Sequence, residues 1–287
     1  RSLPSAGDTG PRTDPRRTAV LDEQRLFQKL TPKLQKVLVV DPAPVSVKLL
    51  TELLRTITGG SAQVWSAPNE GKAMQMVQVV DPQLIFLEHS GPGLDGARLT
   101  RLIRRSDFAC REVPVIMVTG EATAAAILGA RDAGVHEFLR KPYTMKDLLR
   151  RLEAVSLKPR DWVEAVQYVG PDRRRFNSAE YAGPRKRKSD ADTTSDAARM
   201  LQALKIVRAA AGALKTDWAQ ARRALLAQAA MLHKVGQSSA NPGLAEAAAG
   251  LARELPAEGQ PNWRALEAAI MAILQYMPKE AAAPRAA

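Results

Sequence analysis

Residues 171–190, PDRRRFNSAEYAGPRKRKSD, concentrate the side chains in this sequence best suited to hold an anion. Arg173, Arg174 and Arg175 stand at one end, and Arg185, Lys186, Arg187 and Lys188 at the other. Guanidinium groups grip phosphate in bidentate fashion, and the same fork fits the O6 and N7 edge of guanine. They also stack on base faces, as the rings of Phe176 and Tyr181 do. Asp172, Glu180 and Asp190 supply carboxylates that accept from the N–H donors of a guanine's Watson–Crick edge. Asn177 and Ser178 lie between the two clusters and belong to the same candidate site. The set fits a guanine-bearing phosphodiester better than a bare phosphate. Gly183 and Pro184 interrupt any helix or strand, and apolar residues are too few for a core, so the segment is expected to be mobile when free. The competing reading is a solvated basic linker with non-specific attraction for RNA or membrane.

A second set of reactive side chains sits at the ends of apolar runs. Asp41 follows VLVV (37–40), Glu88 ends LIFLE (84–88), Thr119 lies in VPVIMVTG (113–120), and Lys141 lies in HEFLRKP (136–142). Each run reads as a buried strand, and QVWSA (63–67) adds another. Helical spacing separates them: Val47, Leu50 and Leu54; Ala73, Met74 and Val77; Leu99, Leu102 and Ile103; an Ala-rich run to Gly134; and 144–155. Strands alternating with helices predict a five-stranded parallel doubly wound α/β domain over residues 36–156. In such folds the site lies at the carboxyl ends of the strands.

LIFLEHSGPGLDG, VIMVTG and EFLRKPY resemble, in order and spacing, the receiver domain of response regulators. The resemblance implies that Thr119 is the switch hydroxyl, Phe138 the switch aromatic and Lys141 the lysine that pairs with a phosphoryl group. Two positions depart from the family. Glu88 stands where the phosphoaccepting aspartate belongs, and Pro42 stands where a second magnesium-binding acid would follow Asp41. Magnesium demands near-octahedral oxygen ligands, so no magnesium site and no phosphotransfer are expected. Two states of Glu88 are open: it reaches Lys141 and Thr119 and mimics the phosphorylated form, or it makes an inert ion pair with Lys141.

The segment RRRFNSAEYAGPRKRKSD resembles the arginine-rich region of the Cle group of CheY-like proteins, which bind cyclic di-GMP through a disordered tail after a receiver domain. The resemblance implies a non-enzymatic, cytoplasmic cyclic di-GMP effector. Its ligand would be held by Asp172, Arg173, Arg174, Arg175, Phe176, Asn177, Ser178, Tyr181, Arg185, Arg187 and Asp190. It further implies docking to a protein partner such as the flagellar motor switch, with recruitment to the motor or cell pole and an effect on swimming or surface attachment. The alternatives are a phosphorylation-dependent response regulator and a non-specific nucleic-acid-binding protein using the same arm.

The whole chain agrees with an anionic partner. It has 287 residues and a formal net charge of +12. One cysteine, Cys110, excludes an internal disulfide framework and cysteine-based zinc sites. No apolar run is long enough to span a bilayer. Residues 1–35 read as a disordered tail with one short helix, Leu21–Leu30, either a docking element or, the favoured reading, a frayed lead-in. Residues 157–190 read as linker plus arginine-rich segment, with Trp162, Val163, Val166, Tyr168 and Val169 expected to pack on the receiver. Residues 191–280 show apolar residues at helical spacing and predict an Ala-rich four-helix bundle, with Asp217 capping its second helix and Gly236 ending it. Residues 281–287 read as a frayed tail. His233 near Gly236 faintly resembles a histidine phosphotransfer site, against the plainer reading of an exposed histidine near a helix end.

Overall fold

Runs of β-branched and aliphatic residues build the central sheet of this chain. The computed structural model describes residues 15–121, 123–173 and 196–278, the first six as backbone alone. They fall into two units: one takes the chain through Arg131 and Val135–Arg160, the other Asp132–Gly134 and the chain from Asp161.

In the first unit, α1 (Pro15–Leu30) and a 3-10 turn (Thr31–Lys33) lead into β1 (Lys36–Val40). Then come α2 (Pro44–Thr58), β2 (Gln63–Ala67), α3 (Glu70–Val80) and β3 (Leu84–Glu88). A small hairpin, β4 (Ser90–Gly91) with β5 (Leu94–Asp95), precedes α4 (Gly96–Arg105). β6 (Val115–Thr119), α5 (Ala124–Ala133), β7 (Glu137–Arg140) and α6 (Met145–Leu157) complete the alternation. The five long strands are all parallel, in the order β2-β1-β3-β6-β7. Val37 to Val40 and Val115 to Val118 are buried at every position, as strands covered on both faces must be. Local signals set the helix ends. Asn69 and Asp95 accept from the third residue beyond them, Thr144 and Asp147 form a reciprocal capping box, and Gly59 closes α2 in the left-handed conformation.

The lead-in helix is longer than the sequence reading and is not frayed. It starts at Pro15 and packs against α2 and α6. Leu30 and Leu34 are fully buried in the same cluster as Leu50, Leu54, Leu148 and Leu152. The core of the first unit therefore begins before residue 36, because the apolar face between α2 and α6 needs those leucines to cover it.

Several buried or half-buried polar side chains in this unit bind one another. His136 Nδ1 lies 3.3 Å from the Arg104 guanidinium and accepts from Val115 N–H at 3.3 Å. With both neighbours donating, the ring proton sits on Nε2. Burial, then the charges of Arg104 and Arg160, holds the His136 pKa well below its ordinary value. Glu137 takes Arg151 at 3.1 Å and Arg160 at 4.0 Å, all three nearly fully buried.

The second unit opens with an antiparallel hairpin, β8 (Trp162–Glu164) and β9 (Val169–Pro171). Four helices follow: α7 (Asp196–Ala213), α8 (Trp218–Ser238), α9 (Pro242–Arg253) and α10 (Trp263–Leu274). Asp217, Asn241 and Asn262 cap the last three. Ala203, Ala210, Ala221, Ala224, Ala229 and Ala248 line their shared core with leucines between them, so small residues let the helices approach closely. Gly236 does not end α8. It lies inside the helix, where a Cβ would come within 2.7 Å of the Ala245 backbone, so its role is close helix packing.

The stretch 157–170 also differs in part from expectation. Val166 packs on the core of the helical unit, and the Glu164 carboxylate accepts from Gln220 Nε2 at 2.7 Å and from Trp162 Nε1 at 3.0 Å. Gln228 donates to the Glu164 carbonyl at 3.1 Å. Two buried glutamines, one on the Glu164 carboxylate and one on its carbonyl, hold the hairpin to α8, while Gly170 lies against Gly134, within the span read as the receiver, as the sequence led one to expect. Among the described residues no helix is long and apolar enough to cross a membrane.

Candidate functional site

The carboxyl ends of β1, β3 and β6 and the residue after β7 carry Asp41, Glu88, Thr119 and Lys141. Parallel strands in register bring the first, second and last of these to one point. Lys141 Nζ donates to Glu88 Oε2 at 2.6 Å, to Asp41 Oδ2 at 3.0 Å and to Ser46 Oγ at 3.3 Å. The remaining carboxylate oxygens accept backbone N–H groups, Glu88 Oε1 from His89 at 2.9 Å and Asp41 Oδ1 from Ala43 at 2.8 Å. Burial by itself lowers the Lys141 pKa, but hydrogen bonds and charges from Glu88 and Asp41 outweigh it, and the net shift is upward.

The arrangement is an ammonium clamped between two carboxylates. Glu88 takes the reach to Lys141 that its extra methylene permits. Thr119 is buried, and its Oγ1 accepts from Glu121 N–H at 3.1 Å; the Glu88–Thr119 bond expected for a mimic of the phosphorylated form is not among the bonds of the described residues. Pro42 stands hard against the β4–β5 hairpin: a Cβ on Gly91 would meet its Cγ at 2.7 Å. A ring without a donor atom thus occupies the place of a second acid. Phe138 is buried within β7. Ser46 is the member of this site that sequence reasoning missed; it lies in the first turn of α2, just beyond the departure at Pro42.

The cationic arm is described only at its root. Asp172 N–H donates to Asp161 O at 2.8 Å, which extends the β8–β9 ladder by one rung. The Arg173 guanidinium lies over the Tyr168 ring, 4.4 Å from the centroid, and pairs with Asp132 at 2.9 Å. Tyr168 is buried and its hydroxyl donates to Pro171 O at 2.6 Å. Gly170 sits at φ +156°, and a Cβ there would fall 2.7 Å from Gly134 Cα and 2.8 Å from the Tyr168 hydroxyl, so glycine alone fits this turn of the strand. Arg174, Arg175, Phe176, Asn177, Ser178, Tyr181, Arg185, Arg187 and Asp190 lie outside the described residues. Tyr168 and Asp132 were not among the sequence-predicted site residues; the available signal was an aromatic side chain shortly before the first arginine.

Two other reactive side chains have ordinary surroundings. His233 Nδ1 lies 2.9 Å from Ala245 O and its Nε2 lies 3.0 Å from Gln237 Nε2, so it is tied between α8 and α9. Burial, with Asp81 beside it, pushes the Cys110 thiol up to about 11, which keeps it protonated and a poor nucleophile near neutrality. Among the described residues no three His, Cys, Asp or Glu side chains gather as metal ligands.

Comparison with known proteins bears on the first unit. A family model described as the response regulator receiver domain matches residues 37–153. The chain is 29% identical to chemotaxis protein CheY-3 of Vibrio cholerae over 43% of its own length and 92% of that protein. It is 29% identical to chemotaxis protein CheY of Pseudomonas aeruginosa, over 42% of this chain and 94% of that one. It is 30% identical to two-component response regulator ARR7 of Arabidopsis thaliana, over 58% of this chain and 77% of that one.

Proposed function

This chain belongs to the response regulator family, and from that premise we propose that it is a non-enzymatic signalling adaptor whose receiver serves as scaffold while the arm takes the signal. The observation that carries this reading is the 2.6 Å contact of Lys141 with Glu88. The carboxylate at the acceptor position is a glutamate already engaged by the one ammonium that a phosphoryl group would need, and Asp41 shares that ammonium. Pro42 withholds a further oxygen ligand, so the donor set does not fit an octahedral magnesium ion.

Input then falls to the arm. Residues 171–190 hold seven Lys and Arg against three Asp and Glu, which favours a compact anion over a neutral ligand. In this reading Arg173, Arg174, Arg175, Arg185 and Arg187 grip phosphate and the guanine edge. Phe176 and Tyr181 stack, and Asp172 and Asp190 accept from guanine N–H donors. Asn177 and Ser178 complete the set. The ligand is cyclic di-GMP, and neutralising the arm couples binding to ordering. The ordered arm docks a protein partner such as the flagellar motor switch and alters motility or attachment.

Calorimetric titration of the whole chain tests this. Cyclic di-GMP is expected to bind at micromolar concentration or tighter, and replacing Arg173, Arg174 and Arg175 together by Ala abolishes it. GTP and single-stranded RNA run alongside: equal affinity for RNA, falling steeply with salt, marks a non-specific cationic spacer instead.

A second reading, a phosphorylation-dependent regulator, is favoured by the retention of Asp41, Thr119 and Lys141 at their strand ends. Acyl-phosphate formed on the chain by acetyl phosphate with magnesium establishes it; its absence removes it.

A further inference from the structure

Three features outside the receiver pocket hold chemistry that the adaptor reading does not use: the buried Glu164 cluster, His233 between its helices, and the aromatic root of the arm. The first two are satisfied packing. The third sets a partly exposed cation on an aromatic ring. Arg173 is one of the arm's phosphate- and base-binding candidates, and the structure fixes its guanidinium on two sides. Its central carbon lies over the Tyr168 ring, 4.4 Å from the centroid, and Asp132 takes Nη1 at 2.9 Å. About half of the Arg173 side chain stays exposed, at 46%. The support is rigid: Tyr168 is tethered to Pro171, Gly170 packs on Gly134, and the same hairpin is clamped to α8 through Glu164.

We propose that Tyr168 is a positioning residue of the arm's nucleotide site, holding Arg173 flat so that a purine of the ligand stacks on the guanidinium in a Tyr168–Arg173–base column. The inference rests on the cyclic di-GMP reading above and deepens it by adding a wall from outside residues 171–190. Guanidinium is planar and weakly hydrated, so it stacks on an aromatic ring and on a base with little loss of solvation. Pinning its plane before the ligand arrives removes rotamer entropy from the binding step. Asp132 engages the fork at Nη1, so in this column Arg173 offers the base its face and leaves phosphate to the other arginines of the arm.

The test compares the whole parent chain with Tyr168→Leu and Tyr168→Phe, each titrated with cyclic di-GMP and with pyrophosphate, which carries charge but no base. Tyr168→Leu is expected to weaken cyclic di-GMP about tenfold, in the range of one cation–π and stacking contact, and to leave pyrophosphate unchanged. Tyr168→Phe keeps the ring and is expected to bind cyclic di-GMP like the parent. Equal cyclic di-GMP affinity in Tyr168→Leu overturns the proposal while leaving the adaptor reading standing. A parallel loss of both ligands in Tyr168→Leu assigns the residue to hairpin folding alone and also overturns it. A parent that ignores cyclic di-GMP removes the adaptor reading and this column together.

Discussion

Lys141 Nζ sits 2.6 Å from Glu88 Oε2, closer than to Asp41 or Ser46, so the residue at the acceptor position is also the main counter-ion of the lysine. The pair is partly shielded, with Lys141 26% and Glu88 11% exposed. Removing the ammonium leaves two carboxylates side by side without their shared cation. Lys141→Met should therefore destabilise the first unit by about 1–3 kcal/mol, below the full cost of breaking a buried pair because solvent screens part of it. Urea denaturation followed by circular dichroism measures it, and an unchanged midpoint refutes it.

That contribution carries a pH signature. The folded Lys141 pKa is raised above its unfolded value. Its stabilisation is therefore complete below the ordinary lysine value, about 10.5, and fades as pH rises through the higher folded value. The stability gap between parent and Lys141→Met should stay constant from about pH 6 to 9 and close only in alkaline solution.

His136 predicts the opposite limb. Burial and two arginines hold its folded pKa below the unfolded value of about 6.5. Stability from the neutral ring is complete above that pH and is lost as pH falls toward the folded value, because the unfolded chain takes up the proton first. His136→Asn is expected to be less stable than the parent at neutral pH, with a gap that narrows from about pH 7 to 5. A pH-independent gap would contradict this.

Leu30 and Leu34 make the lead-in helix part of the core. Leu30→Ala or Leu34→Ala should cost about 2–5 kcal/mol, as for other fully buried leucines. A chain beginning at Lys36 should unfold at lower temperature than the intact one. Thermal unfolding separates this from a frayed lead-in, which could be deleted without effect.

Gly170 offers a backbone test of the arm's root. Gly170→Ala places a methyl 2.7 Å from Gly134 Cα at a strained φ, so the hairpin must shift. Amide exchange at Val163 and Val169, paired across β8 and β9 with Gly170 and Glu164, should accelerate by about tenfold or more for an opening eased by 1.4 kcal/mol.

The sheet and its site were legible because apolar runs of strand length, each ending in a polar residue, leave few other arrangements. Asp41, Glu88 and Lys141 follow from that register. The burial of α1 was not legible, since Pro32 masks the continuity of an apolar face that runs from Phe27 through Leu30 to Leu34. The β8–β9 hairpin was missed because three-residue strands carry almost no periodicity, and its contacts come from Gln220 and Gln228, more than fifty residues on. Gly236 read as a helix stop because spacing does not reveal that another helix presses against it. The contacts of Arg173 with Tyr168 and Asp132 were not legible, because they depend on a turn that only the folded chain forms.

The clamp of Glu164 to Gln220 and Gln228 joins groups far apart along the chain, with sequence separations of 56 and 64. The entropy of bringing such distant residues together grows only with the logarithm of the intervening length, so the spacing itself costs little. It does govern the order of assembly: a hairpin of three-residue strands gains its two glutamine partners only once α8 exists, so the second unit is expected to come together as one cooperative piece, with the hairpin among its last parts to settle.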